Sequence, residues 1–219
     1  MTVSHQSRAV PKRGAARRLS NGFIALLCLL SAPAAANAVD ALAAFAPGTW
    51  QLGMAGGYAR GFGAFGSDGT ESEAVRMGAL LPSVGGSATN TLGAGHWFEG
   101  GVSLLGEGQL LWNREPRKGF AGNAALVVRY HFLGLARHGF VPFVDGGAGL
   151  GSIDFDLDSQ HDGFAFMLEG GVGMHVFLTP SLALSPSWRF HHLSNAGIRR
   201  PNVGINSQLF LLGVSLFFP

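Results

Sequence analysis

Residues 191–206, "HHLSNAGIRRPNVGIN", bring two histidines, a serine and several amides into one short run. A serine hydroxyl is a poor nucleophile until an imidazole takes its proton, and that imidazole needs an acceptor to fix its tautomer. His192 and Ser194 stand two residues apart, so an extended backbone carries both on one face. Asn206, fourteen positions after His192, is a candidate acceptor for the ring. Asn195 or neighbouring backbone N–H groups are candidates to hold an oxyanion. The chemistry such a set performs is acyl transfer. The same residues also read as a polar turn rich in Asn and Gly between two strands. Which reading applies depends on where each side chain points.

The positioning elements begin after a leader. Residues 1–22 carry Arg8, Lys12, Arg13, Arg17 and Arg18 and no acid, "FIALLCLL" follows at 23–30, and small residues end in "ANA" at 36–38. This is the pattern of a secretory signal peptide over residues 1–38, cleaved after Ala38. The apolar run falls well short of the roughly 20 residues that span a bilayer as a helix. With those five basic residues removed from the 15 Lys and Arg, 10 remain against all 13 Asp and Glu, so the domain expected at 39–219 has net charge −3. The basic balance belongs to the leader, and no nucleic-acid partner is indicated. Cys28 leaves with it, so no disulfide or thiol chemistry remains.

Eight segments of the remaining chain alternate with period two. The apolar sets are Trp50, Leu52, Met54 and Tyr58; Val75, Met77, Ala79 and Leu81; Val102, Leu104, Leu110 and Trp112; and Ala124, Leu126, Val128, Tyr130 and Phe132. A less regular fifth segment, "FVPFVDGGAGLG", follows. The last three are Phe164, Phe166, Leu168, Val172, Met174 and Val176; Leu182, Leu184, Pro186, Trp188 and Phe190; and Phe210, Leu212, Val214, Leu216 and Phe218. Opposite them stand glycines and a few polar groups, among them Glu107, Arg129, Glu169, His175 and Arg189. An export signal, an even strand count and an aromatic-ended last strand predict an all-β fold. Its expected form is an eight-stranded antiparallel transmembrane β-barrel of the bacterial outer membrane, with apolar faces toward lipid and small or polar faces filling the lumen. A secreted β-sandwich is the rival.

With both termini periplasmic, the connections near 60–72, 113–119, 152–162 and 193–204 are extracellular. Continued parity then turns His191 inward and sets His192, Ser194 and Asn206 on the lipid-facing outer rim. Polar groups on that face are costly except near the headgroups.

The run His192-Leu-Ser194-Asn195-Ala196, followed by "RPNVGIN" and a final apolar strand, resembles the signature of the PagL-type lipid A 3-O-deacylases. The resemblance is specific over about 186–218 and architectural before that. It implies an outer-membrane ester hydrolase that removes the 3-O acyl chain of lipid A, with His192 as general base, Ser194 as nucleophile and Asn195 assisting at the oxyanion. It implies lipid A or lipopolysaccharide as partner and no metal or organic cofactor. The family places a glutamate where this chain has Asn206. An amide orients an imidazole without stabilising its charge, so reduced activity or a different acyl ester substrate is expected, and Asn206→Glu is expected to raise activity. A non-catalytic, OmpA-like structural or interaction barrel is the alternative.

Further candidates lie near the same rim. Arg199, Arg200 and Trp188 are candidates for substrate contact, the arginines through lipid A phosphates. Asp154, Asp156, Asp158 and Asp162, with His161, have spacing suited to a divalent cation or simply to a solvated loop.

Overall fold

Eight strands follow one another around a closed antiparallel barrel, each paired with its neighbour in sequence, and the last closing on the first. They are β1 (Trp50–Gly61), β2 (Arg76–Ser87), β3 (Gly100–Glu115), β4 (Gly119–Phe132), β5 (Phe140–Asp154), β6 (Gly163–Thr179), β7 (Leu182–Ser194) and β8 (Ile205–Phe218). The computed structural model describes residues 39–218. The leader expected at 1–38 lies outside them. Closure leaves no free sheet edge, which is what permits strands to cross lipid. The strands run from 12 to 17 residues, longer than the roughly 10 a tilted strand needs to span the hydrocarbon, so they project beyond it.

One parity rule governs all eight strands: even-numbered side chains face out. Trp50, Leu104, Leu126, Leu150, Leu168, Trp188 and Leu212 are all exposed on the barrel exterior. The strand registers pair even with even and odd with odd, except at two irregularities: the opening of β2, where Arg76 meets Glu115, and the end of β6, where Thr179 meets Leu182. The second apolar set departs from expectation. Val75, Met77, Ala79 and Leu81 point into the barrel, each buried, and Gly78, Leu80 and Val84 take the lipid side. The reason is the lumen itself. Near the end that carries residues 191–206 it is filled by apolar side chains, including Met77, Leu111, Phe155, Met167, Leu193 and Leu209.

Three layers therefore fill the interior. Below the apolar layer, Arg189 pairs with Glu107 at 2.7 Å and with Asp145 and Glu169 at 3.1 Å each, while Arg129 pairs with Asp145 at 2.7 Å. Gln109 donates to both Glu107 and Glu169 at 3.0 Å. At the other end, a short 3-10 turn at Leu42–Phe45 seats Phe45 against His131 and Phe217. A buried charge is tolerated only when paired and hydrogen-bonded, and this middle layer meets that condition for both arginines.

Candidate active site

The end of β7 and the start of β8 build the site. His192 and Asn206 are directly opposed across the two strands, and both carry even numbers. Ser194 follows on the same face as the last residue of β7, opposite Phe166 of β6. His191 faces inward, fully buried, and its Nε2–H donates to Gln109 Oε1 at 2.9 Å. One histidine thus belongs to the lumen network and its neighbour to the outer face.

His192 Nδ1 lies 2.7 Å from Asn206 Oδ1. The amide has no choice of orientation. Its Nδ2 donates to Ala64 O at 2.8 Å and to Ser67 Oγ at 3.0 Å, and a carbonyl can only accept. Oδ1 must then face the ring, so Nδ1 carries the hydrogen and Nε2 keeps its lone pair. That is the tautomer of a general base. Among the described residues, neither His192 Nε2 nor Ser194 Oγ takes part in a hydrogen bond, so the side that would meet substrate is open.

Asn206 faces outward by parity, yet it is fully buried. The β1–β2 connection covers it. Phe62 N–H donates to Asn206 O at 3.1 Å, and the turn at 64–67 closes through Ser67 N–H onto Ala64 O. Ser67, itself fully buried, also accepts from Ala64 N–H at 3.1 Å. The same connection sets Phe62 and Phe65 edge-on to Phe190, with ring centroids 5.9 and 6.2 Å away. Leu168, opposite His192, and Phe166, opposite Ser194, are exposed apolar neighbours on β6. The polar groups thus stand between apolar surfaces suited to a hydrocarbon chain.

Gly204 packs on the histidine. A Cβ there would come 2.8 Å from His192 Cε1, and its φ of +82° is one that side chains disfavour. Its N–H donates to Oε1 of the buried Gln160 at 2.9 Å, and Gln160 bridges to Asn202. Asn195 shapes the loop between them. Its Oδ1 accepts from Gly197 N–H at 3.0 Å, and its Nδ2 donates to Arg199 O at 2.9 Å, leaving one Nδ2 hydrogen uncommitted. The N–H of Ala196 has no partner among the described residues. Arg199 and Arg200 are exposed on this loop, and Trp188 donates its indole N–H to Gln208 Oε1 at 3.3 Å on the outer wall. The aspartates of the β5–β6 connection are engaged by protein groups. Arg117 pairs with Asp158 at 3.1 Å, Asp156 at 3.5 Å and Glu71 at 3.3 Å, and Asp162 accepts from the Phe155 and Asp156 N–H groups.

The family model described as lipid A 3-O-deacylase (PagL) matches residues 83–215, more than half of the chain. The chain belongs to the PagL family. The match begins at β2, so kinship with PagL proteins is not confined to the final hairpin. The crystal structure of the outer-membrane enzyme PagL is similar at 17% identity and a TM-score of 0.50, covering 76% of this chain and 98% of that one. The structure of Neisserial surface protein A is similar at 14% identity and a TM-score of 0.52, covering 78% and 96%. At these identities the likeness is one of fold. No curated protein matches the chain in sequence. Family and fold together place this PagL-family barrel in the bacterial outer membrane.

Sequence reasoning did not reach Ser67, Ala64, Gln160 or Gly204. Three of the four act on the site from other connections, across separations that periodicity does not report. Gly204 did leave a trace: a glycine two residues before the acceptor position marks a backbone turn with positive φ.

Proposed function

We propose that the protein is an esterase that removes the 3-O-linked acyl chain of lipid A, with Ser194 as nucleophile and His192 as base. The observation that carries this reading is the 2.7 Å contact between His192 Nδ1 and Asn206 Oδ1, with the amide fixed from behind by Ala64 and Ser67. A barrel whose rim were merely polar would have no need to impose one tautomer on one imidazole.

In the reaction, Ser194 Oγ attacks the ester carbonyl as His192 Nε2 takes its proton. The Nδ1–H to Asn206 bond holds the ring in place as it becomes cationic. The N–H of Ala196 and the uncommitted Nδ2 hydrogen of Asn195 are the donors available to the oxyanion. His192 then returns the proton to the departing sugar hydroxyl, leaving an acyl-serine. Water, activated by the same imidazole, releases the fatty acid. Phe166 and Leu168 on one side and Phe190 and Phe65 on the other offer the acyl chain an apolar bed. Trp188, Arg199 and Arg200 border it.

Ser194→Ala tests the reading. Mass spectrometry of lipid A from cells expressing the protein should show loss of one acyl chain, and the variant should abolish that loss while still inserting as a barrel. Identical lipid A from the two strains would favour a structural or interaction role.

A further inference from the structure

Three arginines interrupt the apolar exterior of the barrel near the site end. Arg60 lies at the end of β1, Arg76 opens β2 and Arg114 stands near the end of β3, all on the even, outward face. Arg60 and Arg76 are direct cross-strand partners, and Arg114 belongs to the part of β3 that pairs with the start of β2. Directly below them the exterior is Tyr58 and Met54 on β1, Leu80 and Val84 on β2, and Trp112 and Leu110 on β3. The guanidiniums therefore mark the level at which the lipid-facing surface ends.

Among the described residues, none of the three makes an ion pair with the protein. Like charges facing each other across strands repel. Among the described residues, neither Arg60 nor Arg114 has a carboxylate within ion-pair distance. The Arg76 guanidinium donates only to the carbonyls of Glu73 and Val75, at 3.3 and 2.8 Å. Of the nearby acids, Glu73 is taken by the Gly69 N–H, and Glu115, opposite Arg76 at the β2 irregularity, makes no ion pair among the described residues. Other acids of this rim are committed elsewhere: Glu71 and Asp158 both pair with Arg117.

We infer that Arg60, Arg76 and Arg114 form a docking surface for the phosphate group of a membrane lipid. A guanidinium presents a planar fork of donors matched to phosphate oxygens, and here Arg60 and Arg114, both exposed and without an ion pair among the described residues, flank Arg76. A lipid, and not a soluble phosphate, is the occupant because the row sits at the upper border of the apolar band. A phosphate at that height has its chains against Tyr58, Leu80 and Trp112. The surface is continuous with the hydrolytic site: Gln208 pairs with Arg60 on one side and with Phe190 on the other. The row begins two strands from β7, a distance of about 10 Å. The inference does not depend on Ser194 acting as a nucleophile.

The test uses the full barrel carrying Ser194→Ala, so that no turnover intrudes, in uncharged detergent micelles. Dansyl-labelled phosphatidic acid and diacylglycerol are titrated separately and followed by fluorescence anisotropy. Phosphatidic acid should bind about ten-fold or more tighter than diacylglycerol, and R60Q/R114Q, which leaves the Arg76 contacts intact, should remove that advantage. R137Q, at the opposite end of the barrel, should keep it, and excess inorganic phosphate should not displace the lipid. Equal binding of the two lipids, an advantage that survives R60Q/R114Q, or displacement by inorganic phosphate would each overturn the inference. Hydrolysis is measured separately, so failure here leaves the esterase reading untouched.

Discussion

His192 Nδ1 and Asn206 Oδ1 stand 2.7 Å apart on adjacent strands, and the Asn206 amide is held from its far side by Ala64 O and Ser67 Oγ. This pocket is built for an amide. A carboxylate at 206 would set an oxygen against the Ala64 carbonyl, acceptor against acceptor, in a position with no solvent access. This geometry predicts the opposite of the gain expected from Asn206→Glu on sequence grounds: the longer acid would meet the Ala64 carbonyl, and activity should fall. Asn206→Asp, the near-isosteric acid, should lower kcat by about ten-fold or more, since an unmatched buried polar contact costs about 1–3 kcal/mol. Asn206→Ala, which removes the orienting oxygen outright, should cost on the order of 10²- to 10⁴-fold in kcat. Steady-state hydrolysis of a short-chain ester in micelles reads both, and an Asp variant faster than the parent would show that charge outweighs the pocket's geometry.

Ser67 reaches His192 only through Asn206. Ser67→Ala removes one of two acceptors for the amide hydrogens and loosens the turn at 64–67. The loss of one hydrogen bond, about 0.5–1.5 kcal/mol, should appear as a several-fold fall in kcat with KM nearly unchanged. Combined with Asn206→Ala it should add little, because its only route to the ring is gone. Additive losses in that double variant would assign Ser67 a separate role.

The barrel and its lipid-facing parity were legible in the sequence because the bilayer imposes one requirement on every strand at once. Each residue that meets the hydrocarbon must be apolar or small, so alternation is strong in β3, β4, β6, β7 and β8. In β2 the rule misleads, because Val75, Met77, Ala79 and Leu81 serve an apolar lumen that periodicity cannot distinguish from lipid. His192, Ser194 and Asn206 were placed on one face by counting alone. That Asn206 is buried was not legible, since its cover comes from a connection some 140 residues away in sequence. Asn195 shows the same limit: its amide reads as an oxyanion donor in the motif, whereas in the fold most of its hydrogen-bonding capacity closes the turn at 195–199.

Gly204 packs against the free edge of the His192 ring. Alanine there would be strained at φ +82° and would push its Cβ to within 2.8 Å of His192 Cε1, so the ring must shift from its place against Asn206. Gly204→Ala should therefore cost about 10²-fold in hydrolysis, the scale of a small misplacement of a reacting group. The barrel should still resist unfolding by detergent at room temperature, which a heat-modifiable gel shift reports. Full activity in the variant would mean that the ring's position is set by Asn206 alone.

Arg189 joins three carboxylates from three different strands and holds the middle of the lumen together. Its Nη1 reaches Glu107 and Glu169 and its Nη2 reaches Asp145, a division only a planar fork can make. Arg189→Leu fits the space but leaves Glu107 and Glu169 without a cation, and removing one partner of a buried ionic cluster typically costs about 3–5 kcal/mol. Arg189→Lys restores the charge at a single point and should recover part of that loss. Urea unfolding in detergent micelles should rank the proteins parent, then lysine, then leucine. If leucine matched the parent, the carboxylates would have to be protonated and mutually hydrogen-bonded, and the layer would owe its stability to packing and not to charge.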